Sequence, residues 1–273
     1  MAERILTAES PWSFSKLSCF DECPYCFYLQ YMQDPPLPQQ GNAWSDYGTL
    51  VHEILEEWAQ GKLKGGELAQ AFDERYDRAM VHAYPPFPKG YEEKSRLQAM
   101  DYFTNFKGFG EPGQFEVVSA EEKFTVKIGS YNMVGISDLV LRDTNTGKLT
   151  VIDHKTKSPN SMKHDRAMYT NQLYIYALHV HQKYGEWPER IAFNMIKDGG
   201  TLLGETFDET HLQKTLEWAE ETIDNIYLED DWIAKRAEAV AAKEKGAGSF
   251  YCEWICPVYG YCQRAQDVFG GRG

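Results

Sequence analysis

The chain has 273 residues, 42% hydrophobic and 25% charged, which is enough apolar material for one large domain or two small ones with a buried core. Its formal charge of −13 argues against a generic nucleic-acid coat, because non-specific binding to a polyanion is driven by phosphate neutralisation and counterion release. No apolar run is long enough to cross a bilayer, the opening MAERILTAESPW lacks the apolar core of an export signal, and no P-loop occurs. The expectation is a cytoplasmic protein without a membrane partner that is not by itself an ATP-driven motor.

Ser13 is placed to cap a short helical region carrying Leu17, Phe20 and Tyr28, and Pro35, Pro36 and Pro38 then make an extended loop. Asp46–Gln60 reads as an amphipathic helix with Tyr47, Leu50, Val51, Ile54, Leu55 and Trp58 on one stripe. His52 lies off the centre of that stripe, and Gly48 one turn earlier leaves room around it. Gly65–Ala83 and Gly90–Phe106 are two further helices, separated by Pro85, Pro86 and Pro88. Phe115–Ile128 begins the sheet, with Val117, Phe124, Val126 and Ile128 alternating in part. Met162–Tyr184 is a helix on which Gln172 and Tyr176, four apart, share a face. Arg190–Lys197 and Thr201–Phe207 form a hairpin around Gly199 and Gly200, and Asp208–Tyr227 and Asp231–Lys245 are helices.

The most informative stretch is VGISDLVLRDTNTGKLTVIDHKTK, from Val134 to Lys157. Val134–Leu141 and Leu149–Ile152 read as strands, joined by the turn residues Asp143, Thr144, Asn145, Thr146 and Gly147. A turn centred on Asn145–Thr146 puts Asp138 opposite Asp153; a bulge at Gly147 would shift that register by one. Facing side chains are roughly 5 Å apart, and like charges there are destabilising, so two acids inside apolar strands call for a cation. Lys155 points to the same face as Asp153. The oxygen donors suit Mg²⁺ or Mn²⁺ better than zinc. Such an ion beside an ammonium group can activate water and stabilise a pentavalent phosphorus centre. Lys155, Lys157, Lys163, His164 and Arg166 are the densest basic stretch nearby. The plain alternative is a surface hairpin with solvated charges.

The six cysteines fall at the two ends: Cys19, Cys23 and Cys26, then Cys252, Cys256 and Cys262. Disulfides suit small exported domains, whereas clustered cysteines in a chain without an export signal more often bind metal. Four thiolates satisfy zinc as well as an iron–sulfur cluster on charge and geometry.

Gly135-x-x-Asp138-Leu139 followed by Val151-Ile-Asp153-His154-Lys155-Thr156 resembles the Asp…(Asp/Glu)-x-Lys core of the PD-(D/E)XK nucleases. The likeness is closest to their RecB-type branch, in which an aromatic usually stands at the position of His154. Gly48-x-x-Val51-His52-x-x-Leu55, Gln172-x-x-x-Tyr176 and Cys23-Pro24 match that branch as well. The C-terminal cysteines depart from its Cys-x-x-Cys-x5-Cys pattern by one extra residue in the first gap.

The resemblance implies an α/β fold: a restriction-endonuclease-like core with a central mixed sheet flanked by helices, as a single nuclease domain. Within it, residues 46–107 are helical, residues 115–207 hold the core sheet and motif helix, and residues 13–31 and 250–263 form a clasp. It implies a divalent cation held by His52, Asp138, Asp153 and the His154 carbonyl. Lys155 would position the attacking water, Glu121 would orient a water or complete the acid cluster (Glu122 being an equal candidate), and Gln172 and Tyr176 would contact the nucleic acid. A 4Fe–4S cluster on Cys23, Cys252, Cys256 and Cys262 would tie the chain ends together, with zinc as the alternative and Cys19 or Cys26 able to substitute for Cys23. The implied activity is exonucleolytic cutting of single-stranded or frayed DNA in recombination, repair or replication of a bacterial or viral genome, with a helicase as a possible partner. The rivals are a non-catalytic DNA-binding scaffold and an endonuclease on the same fold.

Overall fold

The computed structural model describes residues 2–3, 6, 10–85, 90–244 and 247–270. The chain divides into two compact units, one of Met1–Asn42, Lys127–Met133 and Leu216–Gly273, the other of Ala43–Val126 and Val134–Thr215.

The first unit opens with β1 (Ala2–Glu3), α1 (Phe14–Glu22) and α2 (Pro24–Phe27), followed by a π-helical turn at Tyr28–Met32 and by β2 (Gln33–Asp34), antiparallel to β1. Ser13 caps α1 as its sequence predicts, its side chain accepting from the Lys16 N–H at 3.3 Å. The helical region does not run unbroken to Tyr28. Cys23 precedes a proline, which excludes the helical backbone, and it sits extended at φ −162° and ψ 96°.

In the second unit, α3 (Ala43–Ala59), α4 (Leu68–Ala79) and α5 (Tyr91–Thr104) share one core. Tyr47, Leu50, Val51, Ile54 and Leu55 of α3 are buried with Phe72, Tyr76, Tyr102 and Phe103. This is the stripe that the helical spacing predicts. The helix expected over Gly65–Ala83 begins as a 3-10 turn, Gly65–Glu67, and its α-helical part ends at Ala79. Pro86 and Pro88 lie outside the described residues.

The sheet consists of β3 (Phe115–Ile128), β4 (Tyr131–Asp143), β5 (Leu149–Lys155), β6 (Arg190–Met195) and β7 (Thr201–Thr206), hydrogen-bonded in the order β3-β4-β5-β6-β7. The β4–β5 ladder pairs Leu139 with Ile152, Val140 with Val151, and Leu141 with Thr150, so the register without a bulge is the one adopted. The turn explains why. Asp143 Oδ1 accepts from the N–H groups of Asn145 and Thr146, and the Asp143 N–H donates to the Lys148 carbonyl at 2.9 Å. Gly147 takes its left-handed conformation, φ 72°, inside the turn and leaves the ladder unshifted.

The chain then crosses over through α6 (Pro159–Tyr184) and returns parallel to β5 as β6, pairing His154 with Asn194; β7 closes antiparallel. Parallel neighbours require such a crossover. The result is an α/β fold with a mixed five-stranded sheet flanked by helices.

The C-terminal part supplies α7 (Glu209–Leu228), α8 (Lys235–Ala241) and α9 (Gln263–Phe269). The helix expected over Asp231–Lys245 is shorter because its first residues are engaged elsewhere. Trp232 stacks on Phe27 at 6.1 Å, and the Ile233 carbonyl accepts from the Tyr25 N–H. Lys245 lies outside the described residues. Among the described residues no helix is long and apolar enough to cross a membrane.

At Gly204 on β7 an added Cβ would lie 2.4 Å from the Ile191 carbonyl oxygen and 2.7 Å from Ala192 Cβ. Backbone cannot yield as a side-chain tip can. Gly204→Ala is therefore expected to destabilise the fold by about 2 kcal/mol, read from the denaturant midpoint. An unchanged midpoint would show that the close approach is not required.

Candidate active site

Every residue of the sequence-predicted centre falls in the second unit. Continuing the β4–β5 register one step beyond Leu139 and Ile152 sets Asp138 against Asp153. Both are buried, Asp153 at 1% exposure. Asp138 Oδ2 accepts from the His154 N–H at 2.7 Å. Asp153 Oδ2 is buried and pairs with Lys155, whose Nζ lies 2.7 Å away. Burial, then the neighbouring Asp153, push the Asp138 carboxyl well above its usual range; Glu121 adds to this, while His52 and Lys155 pull against it.

His52 projects from α3 into these acids. Its Nδ1 lies 3.1 Å from Glu121 Oε1 and 3.5 Å from Asp138 Oδ2, and its Nε2 lies 3.0 Å from the His154 carbonyl oxygen. Burial alone would lower its pKa, but Asp138 and Glu121 outweigh that and raise it to about 9. The protonated ring thus serves as the counter-cation of the cluster and can donate from both nitrogens. Ligand atoms of His52, Glu121 and Asp138 all lie within 4.8 Å of one another, close enough to hold a metal ion. The room at Gly48 is not obligatory, since a Cβ there would meet Thr156 Oγ1 at an ordinary 3.5 Å.

Of Glu121 and Glu122, Glu121 is the one that lies against His52, and a feature invisible in the sequence brings it there. Glu121 has φ 46°, a left-handed backbone that a non-glycine residue rarely adopts. The kink interrupts the alternation of β3. Glu121 then meets His52, whereas Glu122 pairs with Lys183 and approaches His179 on α6. Such strain costs about 1–3 kcal/mol and is found where surroundings hold it for a purpose.

Lys155 Nζ donates to Gln172 Oε1 at 2.9 Å and lies 4.5 Å from the Tyr169 ring centroid. Gln172 Nε2 in turn donates to the Tyr176 hydroxyl at 2.7 Å. The Gln-x-x-x-Tyr pair therefore reaches the centre through Lys155, and both ends of the Gln172 amide are engaged there. Tyr176 is 5% exposed, and its phenol pKa is pushed well up, by burial first and then by Asp153 and Asp138. The basic stretch is partly neutralised: Lys157 pairs with Asp165 at 2.7 Å and Arg166 approaches Glu205, while Lys163 and His164 are exposed.

Residues unsignalled by any motif complete the surroundings. The His154 side chain is buried. It stacks against Phe109 at 6.1 Å between centroids and meets Asn194, which also contacts Tyr102. Asn194 could have been noticed as the one polar side chain inside the apolar run Ile191–Ile196.

In the first unit all six cysteines come together. Cys23, Cys26, Cys252, Cys256 and Cys262 are buried and line one apolar cavity with Arg236, Tyr251 and Tyr259; Cys19 packs against the same cluster half-buried. Cys26 and Cys256 sulfurs lie 3.7 Å apart, and Gln30 Nε2 contacts both Cys19 and Cys26 at 3.2 and 3.1 Å. Burial, then the Cys256, Cys23 and Cys262 thiols, push Cys252 up to about 12, against Arg236.

Residues 11–263 match the family model of the PD-(D/E)XK nuclease superfamily. No curated protein matches the chain in sequence. Among solved structures it is similar to a candidate exonuclease from Eubacterium rectale, at 14% identity over 82% of this chain and 86% of that one, with a TM-score of 0.43. A likeness at that score adds nothing to the assignment, which the family match carries: the chain belongs to the PD-(D/E)XK nuclease superfamily.

Proposed function

We propose that the chain is a divalent-metal-dependent deoxyribonuclease that trims single-stranded or frayed DNA ends. The observation that carries the metal requirement is the pair of buried acids on β4 and β5. Lys155 Nζ lies 2.7 Å from Asp153 Oδ2, and the neighbouring acids raise the His52 pKa to about 9, so the pair gathers positive charge around it. A hard cation fits this donor set. His52, Asp138, Asp153 and the His154 carbonyl would hold it, with Glu121 completing the acid cluster. When bound, Mg²⁺ or Mn²⁺ polarises the phosphodiester and favours deprotonation of water.

The side chains do the rest. Lys155 orients the attacking water and offsets charge that develops as the new P–O bond forms and the ester P–O bond breaks. Gln172 and Tyr176 hold Lys155 in place and border the path of the strand, to which exposed Lys163 and His164 bring positive charge in an acidic protein. The preference for free single-stranded ends, the role in recombination, repair or replication in bacterial or viral-infected cytoplasm, and a helicase partner rest on the likeness to the RecB-type branch.

The cysteine nest of the first unit fits a thiolate-ligated metal group, because five of its thiols are buried together in one cavity, beside the half-buried Arg236. We assign it a 4Fe–4S cluster on Cys23, Cys252, Cys256 and Cys262 that ties the two chain ends. Closing so long a loop removes much entropy from the unfolded chain.

With Mn²⁺, Asp153→Ala is expected to lower cleavage of an end-labelled single strand by more than about a hundredfold. Ladders from 5′- and 3′-labelled strands then give polarity. Equal cleavage by wild type and variant would favour a scaffold role. Because only neutral imidazole binds metal, and His52 is held at about 9 in the metal-free protein, Mn²⁺ binding should release a proton and tighten as pH rises towards that value. Titration calorimetry in buffers of different ionisation enthalpy measures that release. The stability of the metal-free fold follows the opposite sign: the His52 contribution is full below 6.5 and is lost as pH rises through about 9. Protein purified without oxygen should be brown and carry about four irons per chain. A colourless, zinc-loaded sample would overturn the cluster.

A further inference from the structure

His154 is the joint of the candidate centre. Its N–H donates to Asp138 and its carbonyl accepts from His52, so the backbone of one residue sets the spacing of two residues on different elements. Its ring is buried, lies edge-on to the His52 ring at 5.6 Å between centroids, and is anchored by its other neighbours. Asn194 is the direct partner of His154 in the parallel β5–β6 ladder, so the two side chains lie on one face. The Asn194 amide Nδ2 lies 3.1 Å from His154 Nδ1 and 2.8 Å from the Tyr102 hydroxyl oxygen.

Asn194 is completely buried, and its other amide atom has no partner. Burying an amide in an apolar strand is unfavourable unless its bonds are made. Here one end of the amide makes two of them, tying α5, through Tyr102, to the imidazole on β5. With Nδ2 donating, His154 must accept at Nδ1 and carry its proton on Nε2; with the amide reversed, His154 and Tyr102 both donate to the oxygen. Either arrangement fixes one neutral tautomer and one ring plane, which the Phe109 ring supports at an interplanar angle of 19°. Gly200 allows the Tyr102 ring to approach, since a Cβ there would lie 2.7 Å from Tyr102 Cε2.

We propose that Asn194, braced by Tyr102, is a positioning residue of the nuclease centre, acting through the His154 side chain to hold the His154 backbone that spaces Asp138 and His52. This rests on the metal-dependent reading given above. Partners behind metal ligands that fix their orientation have effects of about ten- to a hundredfold on affinity or activity.

The test compares the full chain with Asn194→Leu, Tyr102→Phe and His154→Phe, and with Asn194→Leu in the His154→Phe background. It uses Mn²⁺ titration calorimetry, kcat and KM on a labelled single strand, and thermal melting. Asn194→Leu should weaken Mn²⁺ binding about tenfold and lower kcat with KM little changed. Tyr102→Phe, which keeps the ring, should move both in the same direction by a smaller factor. Once His154 is Phe, Asn194→Leu should add nothing further, because the route is gone. If Asn194→Leu lowers only the melting temperature, or its effect multiplies with that of His154→Phe, the proposal fails. If Asn194→Leu does not fold, the Tyr102→Phe result decides: wild-type Mn²⁺ affinity and kcat would overturn it. A wild-type protein that binds no Mn²⁺ would instead overturn the metal reading, and the proposal with it.

Discussion

Carboxylates held together away from water repel one another, and the second unit is arranged around that repulsion. Asp138 and Asp153 come from adjacent strands, and Glu121 reaches the same place from a kinked third strand. The apolar residues around them fix the strands, so the acids cannot move apart. The structure answers with cations: His52 held protonated against Asp138 and Glu121, and Lys155 against Asp153. Those two contacts locate where positive charge is wanted, and they account for how the centre draws on α3, on three strands and on α6. The same crowding that would destabilise a purely structural sheet would favour binding of a hard cation, as the proposed function requires.

Much of this was legible in the sequence because strand alternation and turn chemistry are local. Asp143, Asn145, Thr146 and Gly147 determine the turn, the turn determines the register, and the register brings Asp138 to Asp153. The face of α3 followed from Tyr47, Leu50, Val51, Ile54 and Leu55 for the same reason. What was not legible depends on backbone strain or on long-range contact. Nothing in the residues around Glu121 announces a left-handed conformation, and without it Glu121 and Glu122 are equivalent candidates. Nor does spacing reveal that Gln172 addresses Lys155, since their meeting depends on how α6 lies over β5. The helix at Asp231 was overestimated because Trp232 and Ile233 are claimed by the N-terminal segment, a contact across more than two hundred residues of sequence.

The two chemistries are also separated in composition. Oxygen and imidazole donors lie in one unit and thiols in the other. Ligand type would sort a hard cation from a soft one between the two proposed sites.

That division has a consequence in the order of synthesis. The second unit is built from Ala43–Val126 and Val134–Thr215, whereas the first needs residues from the start of the chain and from its final stretch. Nascent domains fold as units while the ribosome is still working. Every side chain of the acidic centre has therefore been translated before Cys252 is added, and the thiol nest can assemble only afterwards. The cluster proposed for it would then be a finishing step, added to a polypeptide whose acidic centre has already been made.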